Sequence, residues 1–176
     1  MEREDEAEAG RRLEILWAER EIDRVILTYA RGLDDLDFDR VRSCFHADAR
    51  IHYDDWFSGS LEEGLAWLED SLPRLGGTLH GFGRPLIDLD LAAGVADCET
   101  VAINSALHPP DARGVRIQNV SGTLYRDRFE HRGGRWAIAE RRSRRVWRQN
   151  GPVGEDPPLP GGGSRKRGWL EPGTPR

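Results

Sequence analysis

Cysteine occurs only at Cys44 and Cys98 in the 176 residues, too few and too far apart for a disulfide framework or a thiolate metal site. No long apolar run is present, so nothing reads as a signal peptide or a membrane span, and the expected setting is the cytoplasm with no membrane partner. Lysine is confined to Lys166 among 26 Lys and Arg residues, a bias that reads as codon usage rather than as selection for phosphate. Before residue 135 the arginines are scattered among acids and the net charge is -5, which argues against nucleic acid as a partner. The five histidines include no pair at ligand spacing, such as two on one helix face, so no metal is expected. Ser58, Ser60 and Ser105 lack an elbow motif, and Cys44 has no histidine fixed beside it. Nucleophilic catalysis is therefore not indicated.

What is present is enough for one domain, since 38% of the residues are hydrophobic and this length supports a single core. Residues 1–10 are acidic with nothing to bury, and read as a disordered N-terminus. Residues 11–148 form the domain. From Leu13 through Leu16, Trp17, Ile22, Val25, Ile26 and Tyr29 to Leu33, apolar residues recur at helical spacing, with Gly32 as a stop signal. A second helix is expected over Asp37 to Phe45 with Asp37 as cap, and Ala49 to Tyr53 reads as a strand. Ser60 and Glu63 form a capping box before a third helix that ends near Pro73 and Gly76-Gly77. The period then changes to alternation over Thr78 to Phe82, Leu86 to Leu91, Val95 to Leu107, Val115 to Glu130 and Arg135 to Trp147. Helices followed by a long antiparallel sheet make the class α+β. From Gln149 to Arg176 proline and glycine dominate, and a disordered tail is expected.

The chemistry-bearing pattern is a first helix that ends in carboxylates, beginning with Asp34, and a lone His80 on a distant apolar strand. That is the sequence form of an acid–base pair in a pocket. The alternatives are an Asp34 that satisfies the turn at the helix end and a core His80 bonded to backbone. His46, His52 and His131 sit beside charged residues and read as exposed.

The phrases Leu33-Asp34-Asp35-Leu36-Asp37-Phe38-Asp39-Arg40-Val41, Cys44-Phe45-His46-Ala47-Asp48-Ala49 and Gly122-Thr123-Leu124-Tyr125-Arg126-Asp127-Arg128-Phe129, with Gly134-Arg135-Trp136 after them, resemble the SnoaL-like branch of the NTF2-like superfamily. Within it the chain is most similar to scytalone dehydratase-like and hexachlorocyclohexane dehydrochlorinase-like proteins. The resemblance covers roughly Ile15 to Trp147 and implies a cone-shaped α+β barrel: a curved, mostly antiparallel sheet wrapped around the N-terminal helices, with a central pocket. It implies that Asp34 orients a base, His80, and that Tyr53 polarises a substrate oxygen. It places Leu33 where the family has a tyrosine and Ser105 where it has a second histidine.

Tyr29, Phe82, Ser105 and Tyr125 are the further candidates for contact with substrate. Along the last strand, alternation sets Arg142 and Arg144 on one face and Arg141 and Arg145 on the other; Arg142 and Arg144 are the candidates for the pocket mouth. The expected function is a cofactor-independent lyase of dehydratase type, or an isomerase, acting on a small hydrophobic oxygenated molecule of the polyketide, steroid, terpenoid or aromatic-catabolite kind. The alternative is a non-catalytic subunit resembling the small subunit of ring-hydroxylating oxygenases. Apolar residues on both faces of the strands point to a homodimer or homotrimer.

Overall fold

The computed structural model describes residues 2–153, with side chains from residue 5 onward. Helix α1 (Glu2–Asp35) leads into α2 (Phe38–Ser43), strands β1 (Phe45–Tyr53) and β2 (Phe57–Ser60), helix α3 (Leu61–Ser71) and a 3-10 turn (Leu72–Arg74). Five strands follow: β3 (Gly77–Phe82), β4 (Leu86–Asp90), β5 (Val95–Leu107), β6 (Ile117–Arg132) and β7 (Arg135–Pro152).

Ala18, Ile22, Ile26, Tyr29 and Leu33 bury one stripe of α1, at the spacing of a single helical face. Several expectations are corrected here. The acidic residues from Glu2 continue α1 rather than standing apart from it, and Leu13, Leu16 and Trp17 are 66%, 61% and 62% exposed instead of joining the core. Gly32 does not end the helix either. A Cβ there would meet Val41 Cγ2 at 2.8 Å, so glycine lets α2 approach, while Leu36, at φ 55°, makes the turn. At the other end of the domain β7 continues to Pro152, past the expected start of the tail at Gln149; residues 154–176 lie outside the described residues.

The capping box of α3 is formed as read: Glu63 accepts from the Ser60 backbone N–H at 2.8 Å, and Ser60 Oγ accepts from the Glu63 N–H. Ser60→Ala should therefore cost about 1 kcal/mol, read from urea denaturation midpoints at constant slope.

The seven strands form one curved, unclosed sheet in the order β2-β1-β7-β6-β5-β3, with β4 paired to the first half of β5. All neighbours are antiparallel except β1 and β7, which run parallel. Helix α1 packs against β3 and β7, and α3 against β1 and β2. The core lies between these helices and the inner face of the sheet, where Ile51, Ala96, Cys98, Phe129 and Ile138 are buried. No helix among the described residues is long and apolar enough to cross a membrane.

Candidate active site

The carboxylate of Asp34, in the last turn of α1, meets the edge strand β3. Asp34 Oδ1 accepts from His80 Nδ1 at 2.7 Å and from Thr78 Oγ1 at 3.1 Å, while Oδ2 accepts from the His80 backbone N–H at 3.0 Å. The two side chains are 7% and 11% exposed. Alternation on β3 puts Thr78 and His80 on the same face, so one carboxylate fixes strand and ring together. With Nδ1 turned to Asp34, Nε2 is the ring nitrogen free of the carboxylate. Burial acts to raise the Asp34 carboxyl, and the hydrogen bonds from His80 and Thr78 outweigh it, holding it below its ordinary value. A depressed folded value means that this stabilisation is complete above the ordinary carboxylate pKa of about 3.9 and is lost as pH falls through the folded value. The melting temperature of the parent protein should accordingly fall more steeply on acidification than that of Asp34→Asn.

His80 lines a cavity of about 160 Å³ whose wall includes Tyr29, Leu33, Tyr53, Trp67, Asn104 and Tyr125. The Tyr53 ring packs 5.6 Å from Trp67 and 6.2 Å from Phe57, centroid to centroid. Exposed Asp54 and Trp56 mark the mouth, where Arg145 lies 4.0 Å over the Trp56 ring. Under the floor, Arg141 is fully buried and bound by Asp127 at 2.8 and 2.6 Å.

A SnoaL-like domain model matches residues 14–142. The chain belongs to the SnoaL-like family. Among curated proteins none matches the sequence. Solved structures similar to this SnoaL-like chain include a candidate scytalone dehydratase from Novosphingobium aromaticivorans, 18% identical with TM-score 0.68 over 77% of this chain and 89% of that one. Hexachlorocyclohexane dehydrochlorinase LinA-type3 from Novosphingobium barchaimii is 17% identical with TM-score 0.64, over 82% and 95%. An NTF2-like protein with a cystatin-like fold from Novosphingobium aromaticivorans is 15% identical with TM-score 0.64, over 78% and 88%. At these identities the likeness shows the fold.

Of the residues singled out in the SnoaL-like sequence, Asp34 and His80 are in contact, and His80, Tyr29, Tyr53 and Tyr125 line one cavity. Phe82 stands behind the wall, 4.8 Å from Tyr125 and 6.3 Å from Tyr29 by ring centroids. Ser105 is corrected: it takes a hydrogen bond from Gln118 at 2.8 Å and is not among the lining residues. The polar residue that β5 offers is Asn104, register partner of His80. Its signal was available, because Ala96, Cys98, Thr100 and Ala102 alternate inward on that strand and Asn104 continues the series.

Arg142 and Arg144 are corrected as well, since both are exposed, Arg142 beside Glu140. Along β7, Ala139 has no partner on β6, and the register shifts there. A bulge of one residue moves every later side chain to the other face. Trp136 and Ile138 point into the core before it, and Arg141, Ser143 and Arg145 face inward after it. His46 is buried with Nε2 2.9 Å from the Glu130 carbonyl, and His52 is half-buried against Ser58, so neither is an exposed surface histidine. Burial pushes the Cys44 thiol up to about 11 and the Cys98 thiol up to about 12, which leaves them protonated and poor nucleophiles at neutral pH.

Proposed function

We propose that this SnoaL-like chain is a cofactor-independent acid–base lyase or isomerase with His80 as the base. The observation that carries the reading is the 2.7 Å contact between Asp34 and His80, with His80 in the wall of the cavity. Nε2 removes a proton from a substrate carbon next to a carbonyl, Asp34 stabilises the imidazolium, and the Tyr53 hydroxyl donates to the oxygen as it takes up charge. The proton then leaves with a β-hydroxyl as water, which is elimination, or returns to another carbon, which is isomerisation. Neither route requires a metal or an organic cofactor once the enolate is stabilised. A cavity of about 160 Å³ has the size of one that holds a benzene ring, about 150 Å³. One-ring oxygenated substrates therefore fit best.

The test is solvent exchange. A panel of one-ring ketones, β-hydroxy and α,β-unsaturated, is incubated in deuterium oxide and followed by proton NMR. Exchange at the carbon next to the carbonyl, present with the protein and absent with His80→Ala, is the expected result. Binding of the panel with no exchange above that of His80→Ala would favour the ligand-binding subunit instead. The exposed Leu79, Val101, Ile103 and Trp147 on the outer sheet face support a homodimer or homotrimer.

A further inference from the structure

The chain has three tyrosines, and all three line the cavity of the Asp34–His80 pair. The hydroxyls of buried Tyr29 and Tyr53 are 2.9 Å apart. Beneath them the Arg141 guanidinium, gripped through Nε and Nη2 by Asp127, lies 4.0 Å from the centroid of the Tyr29 ring. Its Nη1 is buried without a hydrogen-bond partner among the described residues. Its cationic plane is thus committed to the phenol ring as well as to the carboxylate.

We infer that Tyr29 is a positioning residue whose hydroxyl, polarised by Arg141, donates to the Tyr53 oxygen and so turns the Tyr53 O–H into the cavity toward the ligand oxygen. The inference rests on the acid–base reading for what that oxygen becomes, an enolate. Each phenol carries one proton, so one member of the pair must donate and the other is left with a proton to give elsewhere. A cation over the face of Tyr29 draws density from its ring and favours it as the donor. Tyr53, walled by Trp67 and Phe57, then has the cavity as the direction for its own proton. The Tyr125 oxygen accepts from Asn104 Nδ2 at 3.2 Å instead of joining the Tyr29–Tyr53 pair. Charge arriving on the ligand oxygen is spread through two hydroxyls onto a cation that stays buried, each bond strengthening the next.

The groups facing Tyr53 are Tyr29 on α1, Tyr125 and Asp127 on β6, and Arg141 on β7. Burial raises Tyr53 to about 12, against the pull of Arg141 and of the Tyr29 hydrogen bond. Burial also holds Tyr29 well above its ordinary value, with Tyr53 adding to the rise and Arg141 opposing it. An acceptor phenol, whose anion is held by the donor's proton, ionises before its donor.

The experiment uses the full chain labelled with 3-fluorotyrosine, whose more acidic phenol titrates at lower pH, and fluorine NMR. Three signals are assigned with Tyr29→Phe, Tyr53→Phe and Tyr125→Phe. The Tyr53 signal is expected to titrate before that of Tyr29. Tyr29→Phe, which keeps the ring and removes the hydroxyl, should move the Tyr53 midpoint upward by about one pH unit, the size of one hydrogen bond. A Tyr29 that titrates first, or a Tyr53 midpoint unmoved in Tyr29→Phe, overturns the inference. Should Tyr29→Phe not fold, the order in the parent protein decides. Exchange chemistry lost in His80→Ala together with an unmoved Tyr53 midpoint would end this inference and leave the acid–base reading standing.

Discussion

Asp34→Asn is expected to keep the fold and lower turnover by about 10⁴-fold, the loss seen when an amide replaces the orienting carboxylate of a catalytic histidine. Asp34 accepts three hydrogen bonds on two oxygens, from the His80 ring, the His80 backbone and Thr78. Asparagine offers one acceptor oxygen and an NH2 that donates. If that NH2 faces the ring, it requires Nδ1 to accept and leaves the proton on Nε2, where the base must be empty. His80→Ala should lower turnover about as much, and the double variant little further, because the pair acts as a unit. The measurement is kcat for the exchange reaction in all three variants. Losses that multiply in the double variant would mean that the two side chains act independently.

Asp127→Ala should destabilise the domain by about 3–5 kcal/mol, the range for stranding one partner of a buried ion pair. Both side chains are essentially inaccessible, at 0% and 1% exposure. Burial lowers the Arg141 pKa and Asp127 more than restores it, holding it well above its ordinary value; the variant loses that support, yet a guanidinium is not deprotonated in proteins, so an unpaired charge is left buried. Against a typical total of about 5–15 kcal/mol, urea denaturation should find the variant marginal or unfolded. Replacing both partners together, Asp127→Leu with Arg141→Met, removes the stranded charge and should recover most of the loss. If the double variant stays as unstable as the single one, the cost comes from lost packing around Tyr29 and not from an uncompensated charge.

The parts of the structure legible in the sequence are those governed by local rules. The stripe Ile22, Ile26, Tyr29 and Leu33 needs only the helical period, the Ser60–Glu63 box only a spacing of three, and β5 has the limits that alternation gives it, Val95–Leu107. Asp34 and His80 were legible because a carboxylate at a helix end and a histidine in an apolar strand both need a partner. What failed depended on non-local geometry. Arg142 and Arg144 follow the parity of Trp136 and Ile138, and the unpaired Ala139 reverses it; nothing in the alanine itself marks a bulge. Leu13, Leu16 and Trp17 obey the helical period, yet they stand exposed, Leu13 and Trp17 along an open cleft with Leu91, His131 and Trp136. Strand β2, Phe57–Ser60, is four residues long and exists through its pairing with β1. Asn104 is different, since the burial parity of its own strand points to it.

The parallel pairing of β1 with β7 governs how fast the protein is made ready. Phe45 must find Ile138 and Tyr53 must find Ser143, so this seam joins segments about ninety residues apart and closes a long loop before any contact rewards it. The hairpins β5–β6 and β6–β7 join neighbours in the chain and form first on that account. Tyr53 reaches the cavity only when the seam forms, whereas Asp34 and His80 meet across a shorter loop. Refolding should therefore fall in the slow regime of sheet-rich domains, roughly milliseconds to seconds, with the base and its carboxylate in place before the phenol that faces them.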